Sequence, residues 1–146
     1  MNKLKTPLID GLTVEEWDRG WVRLPGGLMI PHRALGTKVG LFRLSLDGQF
    51  RVVGTGTDKK NGIAKRLYDY RRPGNSSRRH YAGQLVYENL DRLELDVLLT
   101  GSDWQARETA EKLKWPMIHF HRPVWTVLNA PFMPKATSTR AAQPTL

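Results

Sequence analysis

The sequence predicts a mixed α/β domain: a small three-stranded antiparallel sheet flanked by helices. Three observations lead there. Two runs of β-formers, Val39–Leu46 and Gln49–Val53, are separated only by Asp47-Gly48, a dipeptide suited to a type I′ turn, whose two central residues need positive φ. A basic segment follows in which Ile63, Leu67 and Tyr70 fall on one helical stripe. Further on, Leu93–Leu99 begins with alternation and ends in an apolar run, the pattern of a central strand.

The elements follow in order. Met1–Leu12 is expected to be loosely held. Thr13-Val14-Glu15-Glu16 carries a capping-box pattern, Thr13 as N-cap and Glu16 in the reciprocal position, and Gly20 keeps that helix brief. Trp21–Leu24 reads as extended, Pro25-Gly26-Gly27 as a turn, and Leu28-Met29-Ile30 as a short strand ending at Pro31. Trp17 and Trp21 are expected to lay apolar area on the sheet. His32 and Arg33 fall in a loop before the hairpin. In the hairpin, Phe42, Leu44 and Leu46 alternate with Arg43 and Ser45, and Phe50 and Val52 with Arg51, so one face is apolar and the other polar. Gly40 and Gly54 lie near its open end, where a missing side chain lets a backbone or a phosphate come close. Thr57, Asp58 and Asn61 all qualify as N-cap of the basic helix.

After that helix, Arg72–Ser77 is a loop by composition. Tyr81 to about Asn89 fits a second helix with Leu85 and Val86 inward. Gly101 ends the third strand, and Ser102-Asp103-Trp104-Gln105 reads as another capping box with Ser102 as N-cap. The helix it opens has the apolar stripe Ala106, Ala110, Leu113 and is expected to stop near Lys114, before Pro116. Met117–His121 alternates like a strand, which places His119 and His121 on one face, two imidazoles without an evident third metal ligand. From Pro131 the composition is that of a flexible tail. The organisation is thus an extension over 1–36 packing on the core, a domain over 37–130 and a tail over 131–146.

Composition narrows the function. The 146 residues include no cysteine, which excludes a disulfide framework and thiolate metal sites. No apolar run nears the ~20 residues of a membrane span, and Met1–Gly11 lacks the apolar core of a secretory signal, so a cytoplasmic protein without a membrane partner is expected. The formal charge of +9, with a pI near 10.2, implies a polyanionic partner, foremost nucleic acid. The charge gathers on one helix and its flanks: Lys59, Lys60, Lys65, Arg66, Arg71, Arg72, Arg78 and Arg79.

The order of pieces over Val39–Asn129 resembles the GIY-YIG nuclease domain. Gly40-Leu41-Phe42 stands where that family has G-I-Y, and Val52-Val53-Gly54 where it has Y-I-G. Arg66-Leu67-Tyr68-Asp69-Tyr70 resembles the R-L-x-x-Y/H of the family helix, and Pro123-Val124-Trp125-Thr126 the P-x-[YW]-N segment of small GIY-YIG restriction enzymes, with Thr126 in place of the asparagine and Asn129 three residues on. Both motif tyrosines are replaced, by Phe42 and Val52. The resemblance implies a DNA-binding endonuclease that cleaves phosphodiester bonds with magnesium or manganese. It assigns phosphate neutralisation to Arg66, a water or phosphate contact to Tyr70, and the metal to Glu111, with Glu108 as the alternative. A binding module that has lost cleavage on the same scaffold, or a basic assembly-associated protein, are the other readings.

Overall fold

A computed structural model describes residues 7–72 and 81–125. Its strands are β1 (Val22–Arg23), β2 (Val39–Leu46), β3 (Gln49–Gly56) and β4 (Glu94–Gly101); its α-helices are α1 (Val14–Asp18), α2 (Gly62–Asp69), α3 (Tyr81–Glu88) and α4 (Trp104–His121). The fold is α+β, with one antiparallel sheet in the order β1-β4-β2-β3. The sheet therefore has four strands and not three. The extra strand comes from the N-terminal segment read as extended at Trp21–Leu24. It is two residues long, too short to show a period, and it is placed by its partner: Val22 pairs with Val97 and Arg23 with Asp96.

The β2–β3 hairpin turns at Asp47 and Gly48, whose φ values of 54° and 76° are both positive, as a type I′ turn requires. Its two faces bury different cores. Phe42, Leu44, Leu46 and Val52 join Ile63, Leu67 and Tyr70 around α2, Val86 of α3, and Leu95 and Val97 of β4. Leu41, Val53 and Leu98 on the opposite face pack against Ala110, Leu113, Met117 and Ile118 of α4, with Trp17 and Trp21 at the border. The sheet is thus covered by α2 and α3 on one side and by α4 on the other. The polar hairpin face expected from the alternation does not exist as such: Leu41 and Val53 make it a second core, and Arg43 lies at its edge.

Arg43 is held there by neighbours that compensate its charge. Its Nε donates to Asp96 Oδ2 at 2.8 Å, and Arg23 Nε donates to Asp96 Oδ1 at 2.6 Å. The Arg43 guanidinium lies 4.5 Å from each of the Trp21 and Phe50 ring centroids, a double cation–π contact. Burial alone would raise the Asp96 carboxyl, but hydrogen bonds and charge from Arg23 and Arg43 outweigh it and hold the group below the usual carboxylate range.

Three local expectations change. Leu28-Met29-Ile30 is not a strand; Gly27–Met29 forms a 3-10 turn and buries Leu28. The N-cap of α4 is Asp103, whose Oδ1 accepts from the Ala106 N–H at 2.9 Å, in place of Ser102. That helix also does not stop before Pro116 but runs on to His121. Met117 and Ile118 explain the extension: they are 0% and 1% exposed and continue the stripe of Ala110 and Leu113, so packing outweighs the proline's helix penalty. As a consequence His119 and His121 share no face. His119 is exposed, while His121 Nε2 donates to Asp18 Oδ1 at 2.7 Å. At the other end, the capping box at Thr13 and Glu16 is present. Residues 9–12 are tied down by the Ile9–Leu12 bridge and by Trp17 Nε1 donating to the Ile9 carbonyl at 2.7 Å.

Candidate nucleic-acid interface

Gly40 and Gly54 sit where a strand and a ring press close. A Cβ on Gly40 would strike the Leu98 carbonyl oxygen across the β2–β4 pairing, and one on Gly54 would lie 2.7 Å from Phe42 Cζ. The Phe42 ring fills the space above Gly54 and meets Tyr70 edge-on, with centroids 5.7 Å apart at 74°. Phe42 and Val52 are 0% and 4% exposed. The two positions that would carry motif hydroxyls are apolar core.

Past Gly54, β3 delivers Thr55 and Thr57 to the surface between two helices. On one side Glu111 of α4 accepts a hydrogen bond through Oε2 from Thr57 Oγ1 at 3.1 Å and, at 3.5 Å, from Thr55 Oγ1. On the other side Arg66 of α2 lines, with Thr55, Thr57, Asp58, Lys65 and Asp69, a cleft of about 280 Å³. Arg66 and Glu111, far apart in sequence, thus flank the same two threonines. Asp58 shapes the turn into α2: its Oδ2 accepts from the backbone N–H groups of Lys60 and Asn61 at 3.1 and 2.7 Å.

Tyr70 stands behind Arg66. It is 3% exposed, and its ring centroid lies 5.5 Å from the Arg66 guanidinium. Burial pushes its phenol up, only partly countered by the neighbouring Arg66 charge. The phenol therefore keeps its proton at neutral pH.

Most of the remaining cations line clefts that adjoin one another around α2. Lys59 lines a cleft of about 640 Å³ with Thr57, Trp104, Arg107, Glu108, Glu111 and Lys112. Glu108 is exposed there, without a threonine contact. Lys65 lies at the centre, paired to Asp69 at 3.2 Å. Arg71 and Arg72 line a third cleft of about 380 Å³ with Tyr68, His32 and Arg33. The first two clefts share Thr57, and the central and third share Lys65 and Asp69. Lys60 is exposed at the start of α2. Arg78, Arg79, Thr126, Asn129 and the tail from Pro131 lie outside the described residues.

Among the described residues, Glu111 is the one carboxylate that meets the two threonine hydroxyls. No three His, Cys, Asp or Glu side chains among the described residues converge, and His119 and His121 lie on different sides of α4. One carboxylate beside two hydroxyls suits magnesium or manganese, which keep several waters and take further oxygens from a substrate phosphate. The sequence reading missed Thr55 and Thr57 as partners of Glu111 and gave Trp104 no role, although Trp104 is 59% exposed beside Lys59, Arg107 and Lys112. Its exposure and the cations around it come from the fold, so only the sequence neighbours Arg107 and Lys112 hinted at them.

No helix among the described residues is long and apolar enough to cross a membrane. No protein-family model matches this chain, and no curated protein or solved structure does.

Proposed function

We propose that this chain binds nucleic acid along the adjoining clefts around α2 and hydrolyses a phosphodiester at the Arg66 cleft with a divalent metal, in the manner of a GIY-YIG-like endonuclease. The observation behind the reading is that Arg66 and Glu111 flank Thr55 and Thr57. Arg66 grips the scissile phosphate: a planar guanidinium reaches two phosphate oxygens at once, and the Tyr70 ring keeps it in place. Glu111, oriented by the two hydroxyls, holds the metal, which supplies charge stabilisation at the phosphate when bound. Lys59, Arg107 and Lys112 attract the strand on the α4 side, and Arg71 and Arg72 on the other. DNA is the substrate class the reading favours.

The test is nicking of supercoiled DNA with and without magnesium or manganese. Metal-dependent nicking lost in both Arg66→Ala and Glu111→Ala supports the assignment. Nicking that persists unchanged in both variants overturns it.

A second reading, binding without cleavage, is favoured by one observation: Phe42 and Val52 are buried and bear no hydroxyl. Loss of a general base costs about 10²–10⁴ in rate. Under this reading no nicking occurs, while affinity for DNA still falls steeply with salt as condensed counterions are released.

A further inference from the structure

We propose that the cleft between the 28–33 segment and α2 receives one unpaired nucleobase of the bound strand. This rests on the nucleic-acid reading above and deepens it, since the cleft adjoins the Arg66 cleft through Lys65 and Asp69. The ion-paired Lys65 and Asp69 form the rim between the two clefts, so a strand bound at Arg66 passes into this opening by crossing that rim.

The chemistry of the lining selects the occupant. Leu28, Ile30, Pro31 and Leu67 supply an apolar wall around about 380 Å³, a size typical of sites that enclose a flat organic group. Tyr68 is 53% exposed there, and the guanidinium groups of Arg71 and Arg72 lie 5.9 and 5.8 Å from its ring centroid. An aromatic face backed by two guanidiniums is a stacking platform for a base, with cations at hand for the flanking phosphates. Arg33 adds positive charge to the same rim, whereas Asp69 is spent on Lys65. A neutral ligand has no use for that surplus; an anionic strand does.

His32 adds a polar reader. Its Nε2 lies 2.6 Å from the Gly27 carbonyl oxygen, which can only accept, so Nε2 carries the proton. In the neutral ring Nδ1 is then an acceptor, suited to the exocyclic amine of a base. A base stacked within a duplex has its faces covered, so the cleft admits only one that is single-stranded or extruded.

The test compares three probes with the full chain: a short single strand carrying one fluorescent purine analogue, a phosphodiester strand of equal length without bases, and a duplex. The base-bearing single strand is expected to bind roughly tenfold to a hundredfold tighter than the base-free strand, the worth of one stacked base, with quenching of the purine analogue. Tyr68→Ala should erase that preference and the quenching; Tyr68→Phe should keep both. Equal affinity for base-bearing and base-free strands, or a preference that survives Tyr68→Ala, overturns the base cleft and leaves the proposed function standing. Absence of salt-sensitive binding to all three probes overturns both.

Discussion

Glu111 and Thr57 meet across the end of the hairpin, Oε2 accepting from Oγ1 at 3.1 Å. The contact ties the middle of α4 to the residue just past β3 and fixes an exposed carboxylate beside Thr57, which also lines the Arg66 cleft. A hydroxyl that orients a metal-holding carboxylate typically matters tenfold to a hundredfold. Thr57→Val is therefore expected to slow metal-dependent nicking by about that factor, with Thr57→Ser close to the parent. Because Thr57 is partly exposed, the melting temperature should hardly move. A large drop in melting temperature, or an unaltered rate, would count against this role.

Phe42→Tyr tests whether the buried Phe42 position can take a hydroxyl. Phe42 is fully buried, with its Cζ close over Gly54 and its edge against Tyr70. A hydroxyl added there has no room and no partner, which costs about 1–3 kcal/mol. Urea unfolding should show that loss, and nicking should not increase. A stable Phe42→Tyr protein with faster cleavage would mean that a water-filled channel reaches the ring.

Asp96 sets an acid limit on stability. Its folded carboxyl is held below the unfolded value by Arg23 and Arg43, against the opposing effect of burial. A lowered folded pKa means the unfolded chain binds more protons in this range, so stability rises with pH through it. The contribution is complete above the unfolded value of about 3.9 and fades as pH falls below that toward the folded pKa. Asp96→Asn is expected to cost about 1–3 kcal/mol near neutrality, because the half-buried Arg43 then loses its nearest counter-charge and, among the described residues, keeps only Asp18 at 3.8 Å. It should also flatten the acid limb of the stability profile. Chemical denaturation across a pH series measures both; an undiminished acid limb in Asp96→Asn would place it elsewhere.

Pro116 interrupts the hydrogen-bond ladder of α4 at a partly buried position. An interior proline costs a helix about 3 kcal/mol, partly offset by a stiffer unfolded chain. Pro116→Ala should thus stabilise the protein by about 1–2 kcal/mol and raise the melting temperature, with Met117 and Ile118 still buried. Destabilisation would mean that a kink at Pro116 is needed for the α4–sheet fit.

The sequence alone determined the pieces whose causes are local. The Asp47-Gly48 turn, the Thr13–Glu16 capping box, the Ile63/Leu67/Tyr70 stripe and the β4 run each depend on residues adjacent along the chain, and each stands where the pattern put it. Only the tertiary structure decided the rest, because the deciding partner was remote. Arg23 became a sheet residue through Asp96, Arg43 entered a core edge between Trp21 and Phe50, and Met117–His121 stayed helical because the sheet offered apolar surface to cover. The candidate site divides the same way. A basic helix and a glutamate-bearing helix were legible from composition and periodicity, but the choice between Glu108 and Glu111 was not, since both lie off the same apolar stripe. Two threonine hydroxyls from the end of β3 hydrogen-bond Glu111, a contact that exists only once the hairpin and the last helix are packed together.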